Sequence, residues 1–132
     1  MSQRPLSPHL GVYKFMYTMS LSILHRITGC VATAGFLAFA WWLMALATGP
    51  DAYATAMRCL GSPLGKLLLV GFTFSFIYHF CNGIRHLVWD TGRGLERAQA
   101  RRSGYVVVVA ALVLTAVVVW FGCRAMGFTE VA

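Results

Sequence analysis

The sequence predicts an all-α integral membrane protein with three transmembrane helices, its N-terminus cytoplasmic and its C-terminus outside. Three observations carry that prediction. The 132 residues are 58% hydrophobic and 11% charged, whereas soluble domains are about a quarter charged. Three stretches, each about 20 residues long, are nearly free of charge and long enough to cross a bilayer core. The basic residues behind the net charge of +7 sit at the ends of those stretches, not in a stripe between aromatics on a polar surface. That pattern belongs to a chain held in lipid and argues against a nucleic-acid partner. The length allows one membrane-anchor domain, 1–132.

Residues 1–21 begin "MSQRPLSPHLGVYKF", too polar and proline-broken for a signal peptide and without the Arg- and Ser-rich pattern of an organelle presequence. They are expected to lie along the inner side. Span one, 22–48, is uncharged from Arg26 to Asp51. Proline and glycine punctuate the connection "TGPDAYATAMRCLGSP", which has room for a short helix in its middle. In span two, 64–89, only Tyr78, His79 and Cys81 could ionise between Lys66 and Arg85. The segment "DTGRGLERAQARRSG" leads to span three, 104–124, whose valines would favour a strand in water. Lipid offers an open strand's backbone no partner, so a helix is expected.

Lys and Arg set the direction. Arg4, Lys14, Arg26, Arg85, Arg93, Arg97, Arg101 and Arg102 fall on one side, and Arg58, Lys66 and Arg124 on the other. Eight against three places the N-terminus and second connection in the cytoplasm. Trp89, Tyr105 and Trp120 fall near the predicted membrane boundaries. Either the chain enters a bacterial inner membrane through its own first span, or it belongs to the mitochondrial inner membrane after loss of a presequence. Cys30, Cys59, Cys81 and Cys123 stand far apart with no CxxC pair, which argues against zinc or an iron–sulfur cluster held by this chain alone.

Antiparallel packing brings the start of span one beside the end of span two. "SILHRITG" and "YHFCNGIRHLVWD" then share one membrane face, and nearly all side chains of chemical interest lie in them. His79, Asn82, Gly83 and His86 fall on one helical stripe. His79 lies about 16 Å below Asp90 by helical rise, inside the hydrocarbon, while Arg85, His86 and Asp90 are expected to reach headgroup level. An imidazole that deep needs a hydrogen-bond partner or a metal. Haem iron is one candidate, with Gly83 leaving space for a flat ring and His25, Arg26, Arg85 and His86 nearer the propionates. A hydrogen bond to a neighbouring helix is the other. His79 and His86 cannot clamp one iron, since a single helix holds them about 10 Å apart on the same side. His25, expected near the surface, matches the depth of His79 poorly, so a second axial ligand is expected from another polypeptide. Ser22 and Arg26, with His25, form a further stripe. They suit either the polar head of a quinone, with Ser22 donating to a carbonyl oxygen and Arg26 stabilising its developing charge, or plain interfacial anchoring.

"RPLSPHLGVYK", "SILHRITG" and "HFCNGIRHLVWD", in that order, resemble the cytochrome b subunits of succinate dehydrogenase, the larger membrane anchors of respiratory complex II. The three matches cover about a third of the chain. The resemblance implies a b-type haem with His79 as one axial ligand to the iron, and the other ligand from the smaller anchor subunit. It implies ubiquinone at Ser22 and Arg26, with His25 and His86 near the haem propionates. It also implies an iron–sulfur subunit completing the quinone pocket and a flavoprotein subunit oxidising succinate, so that this chain carries no catalytic residue of its own. A quinol-fumarate reductase anchor and a haem-free structural anchor are the alternatives.

Overall fold

The computed structural model describes residues 16–125. The inner-side segment expected for 1–21 lies outside the described residues up to 15. From Tyr17 onward the chain is already helical. Four helices follow in order: α1 (Tyr17–Thr48), α2 (Pro50–Gly61), α3 (Pro63–Asp90) and α4 (Arg97–Ala125). Helices α1, α3 and α4 are each long and apolar enough to cross a membrane. They extend the expected spans, most of all at the starts of α1 and α4.

Local chemistry sets the breaks. Gly49 leaves α1 at φ 138°, a conformation that L side chains rarely adopt, and Pro50 starts α2 in the first helical position. Helix α2 fills nearly the whole first connection, with Asp51 in its first turn and Arg58 in its last, both complementing the helix dipole. Ser62 then caps α3, its Oγ accepting from Gly65 N–H at 3.0 Å, with Pro63 next in sequence. Gly92 and Gly94, both at φ 76°, turn the chain from α3 into α4. The valine-rich segment of α4 is helical, as lipid requires.

Contacts 25 to 86, 29 to 79 and 36 to 72 run in opposite directions along α1 and α3, so the two helices are antiparallel. The start of α1, the end of α3 and the start of α4 share one end of the bundle, and α2 closes the other. A small core of Leu21, Tyr78, Val107 and Ala111 binds the three long helices. Buried Tyr78 donates its hydroxyl to the Leu21 carbonyl at 3.1 Å. Glycines permit the close crossings: a side chain at Gly35 would occupy the Phe72 ring, and one at Gly104 would strike Leu21. Thr28, Thr73 and Thr115 return their hydroxyls to carbonyls four residues back, which suits a solvent without hydrogen bonds to offer. Large apolar side chains such as Leu37, Leu67 and Phe121 point outward, two-thirds or more exposed, as expected of surfaces that meet lipid or neighbouring subunits.

Candidate functional site

Near the shared end, α1 and α3 bring three histidines together. The His25 ring stacks on His79 with centroids 4.0 Å apart and planes 11° from parallel. His86 lies 5.1 Å from His25 in a tilted arrangement. The expectation that His25 sits shallower than His79 is therefore corrected. Helix α1 starts at Tyr17, which carries His25 two turns inside it, about 12 Å from its start.

His79 Nδ1 lies 3.0 Å from the main-chain carbonyl of His25. A carbonyl oxygen can only accept, so Nδ1 is the donor, and in the neutral ring Nε2 then keeps its lone pair. The ring also rests over Gly29, one turn beyond His25. A Cβ at Gly29 would come within 2.8 Å of His79 Cε1 and 3.2 Å of its Nδ1. On α3, a Cβ at Gly83 would meet nothing within 4 Å, so the surface beside His79 is open there. His25 Nδ1 is buried and finds no hydrogen-bond partner among the described residues.

Arg85 and Asn82 belong to a different face. Arg85 is 6% exposed, its side chain packed inside the bundle. Its Nε donates to Ser103 Oγ at 3.0 Å, one terminal nitrogen to Asn82 Oδ1 at 3.1 Å and the other to the Ala100 carbonyl at 2.8 Å. Its guanidinium also lies over the Trp89 ring, 4.0 Å from the centroid. With two of its donors turned to α4 and the third to Asn82, Arg85 does not bond to the histidines. Asn82 is fully buried with it and leaves the expected histidine stripe. His86 stays on the histidine side, edge-on to Trp89 at 5.0 Å.

Ser22 and Arg26 sit on α1 one turn apart, half-buried and exposed respectively. Neither makes a hydrogen bond or ion pair with another described residue. Gly29 and Tyr78 were missed by sequence reasoning. Gly29 carried one signal, its position four residues after His25, which puts it on the same helical face.

The family profile described as succinate dehydrogenase/fumarate reductase transmembrane subunit matches residues 1–118. Among similar proteins, the succinate dehydrogenase cytochrome b556 subunit of Paracoccus denitrificans is 42% identical over 111 residues, covering 84% of this chain and 85% of that one. The cytochrome b556 subunit of Rickettsia felis is 40% identical over 114 residues, covering 86% of this chain and 89% of its own. The mitochondrial cytochrome b560 subunit of Sus scrofa is 39% identical over 110 residues, covering 82% and 65% respectively. With three membrane-crossing helices and a match over most of its length, the chain belongs to the succinate dehydrogenase/fumarate reductase transmembrane subunit family.

Proposed function

We propose that this subunit is an electron-transfer anchor, holding one side of a b-type haem through His79 and contributing Ser22 and Arg26 to a ubiquinone site. The observation that carries the reading is the bond from His79 Nδ1 to the His25 carbonyl. Histidines that ligate metals commonly donate their second ring N–H to a carbonyl or carboxylate, which orients the ring and raises the basicity of the free nitrogen. His79 Nε2 is left in that state.

The other residues also fit such a group. Gly83 leaves a flat surface beside the ligand where a macrocycle needs room. The orphaned His25 Nδ1 and the neighbouring His86 offer polar partners to a carboxylate-bearing cofactor edge. When bound, haem supplies a one-electron carrier within the bilayer. The protein's own part is to aim His79, exclude water with the apolar helices and satisfy the cofactor's charged edge. A further protein ligand to such a haem would come from another polypeptide, since His86 shares a helix with His79 and His25 lies stacked parallel to its ring; the family resemblance implies the smaller anchor subunit.

At the quinone site, Ser22 donates to a carbonyl oxygen of the ring, and Arg26 stabilises negative charge as that oxygen takes up electrons. Their lack of bonds to other described residues leaves both groups available. An iron–sulfur subunit completes that pocket, and a flavoprotein subunit oxidises succinate. The relatives named succinate dehydrogenase favour the direction from succinate to quinone. The membrane is the bacterial inner membrane, or its mitochondrial counterpart, with the arginine-rich end of the bundle facing the cytoplasm or matrix.

The test is His79→Ala in the purified complex. Loss of the b-type reduced-minus-oxidised spectrum with the subunits still assembled is the expected result. An unchanged haem content and spectrum would remove His79 as a ligand.

A further inference from the structure

We infer that Gly29 is a positioning residue for the haem ligand: its missing side chain lets α1 act as the seat on which the His79 ring is held. The inference rests on the proposed haem role of His79.

Two contacts from a single turn of α1 define the ring. The His25 carbonyl takes the Nδ1 proton at 3.0 Å, and the bare backbone of Gly29 lies beneath the ring edge. A Cβ at Gly29 would approach His79 Cε1 to 2.8 Å, closer than non-bonded carbons come, so something must shift. The ring cannot swing aside freely. It is tethered at Nδ1 to the carbonyl and covered on its face by His25, 4.0 Å away. Relief must come from rotation of the imidazole, lengthening of the Nδ1 hydrogen bond, or separation of α1 from α3. Each alters the direction or donor strength of Nε2, the properties that second-sphere contacts tune in metal sites.

Gly29 differs from an ordinary packing glycine in what it touches. Gly35, on the same helix and at the same α1–α3 crossing, makes a still closer approach, but to the Phe72 ring. A Cβ there strains the same helix pair without touching the histidine. Gly71 has nothing within 4 Å of its missing side chain. The three glycines thus form an internal comparison: ligand contact, packing contact and no contact.

The experiment compares Gly29→Ala, Gly35→Ala and Gly71→Ala in the intact purified complex. Haem per flavin, the reduced α-band, the low-spin electron paramagnetic resonance signal and the haem midpoint potential are read for each. Gly29→Ala is expected to shift the band, resonance and potential, and to weaken haem retention by about tenfold, the lower end of second-sphere effects. Gly35→Ala is expected to lower thermal stability with the haem signals unmoved, and Gly71→Ala to change neither. Wild-type haem signals in Gly29→Ala, or equal changes in Gly29→Ala and Gly35→Ala, would overturn the inference.

If Gly29→Ala fails to assemble, the same substitution is placed in a His79→Gly background, where the ring is gone. Assembly equal to His79→Gly alone supports the contact through His79, and assembly below it refutes the contact. His79→Ala separates this inference from the reading beneath it. Haem retained in that variant defeats the ligand assignment, whereas haem lost there but unperturbed in Gly29→Ala defeats only the positioning role.

Discussion

Arg85 on α3 donates its Nε to Ser103 Oγ on α4 at 3.0 Å, inside a bundle end where the sequence suggested a water-exposed guanidinium. The same side chain reaches the Ala100 carbonyl, so a charged residue spans both helices. Interhelical bonds within membranes contribute about 0.6–1.7 kcal/mol each. Arg85→Met, losing two of them, should destabilise the subunit by about 1–3 kcal/mol. Ser103→Ala should cost less than half as much. Thermal unfolding in detergent measures both, and the haem band should keep its wild-type position, since Arg85 faces away from the histidines.

Gly83→Leu tests the open surface beside His79. The chain has room for a side chain there, so the complex should assemble with little change in unfolding temperature. Haem, however, should be excluded. The ratio of haem to flavin in the purified complex gives the answer, and full haem occupancy would mean the macrocycle lies elsewhere.

Arg26→Ala should lower succinate–ubiquinone reductase activity about tenfold. That is less than the 10²–10³ typical of an enclosed donor, because Arg26 is exposed in this chain. Dye reduction by the soluble subunits should persist in the same preparation. Equal loss of both activities would point to faulty assembly instead.

Tyr78→Phe removes one buried hydroxyl and leaves the ring in the core with Leu21, Val107 and Ala111. A loss of about 1 kcal/mol is expected for a single hydrogen bond, visible as a small drop in unfolding temperature. Haem content should remain at the wild-type level.

The three membrane helices were legible because charge-free length is a direct signal, and Gly49-Pro50 and Ser62-Pro63 mark their own breaks. His79 stood out for the same reason, as a histidine inside a charge-free stretch. Arg85 did not. Counting rise along α3 gives depth but not direction, and six residues at about 100° each turn Arg85 some 120° around the helix from His79. That rotation aims it at α4, a partner no local pattern identifies. His25 was not legible as a neighbour of His79, because position along each span does not give the register between α1 and α3 that stacks the two rings. Gly29 escaped notice because a small residue records a close approach only once the approaching ring is known.

Both partners of the bond that aims His79 belong to this chain. The direction of its free nitrogen is therefore a property of the folded polypeptide and does not depend on the cofactor. If His79 ligates haem as proposed, the fold of this chain would aim that nitrogen before any cofactor reaches it. Folding of the chain and supply of the porphyrin would then be separable steps, each with its own timing.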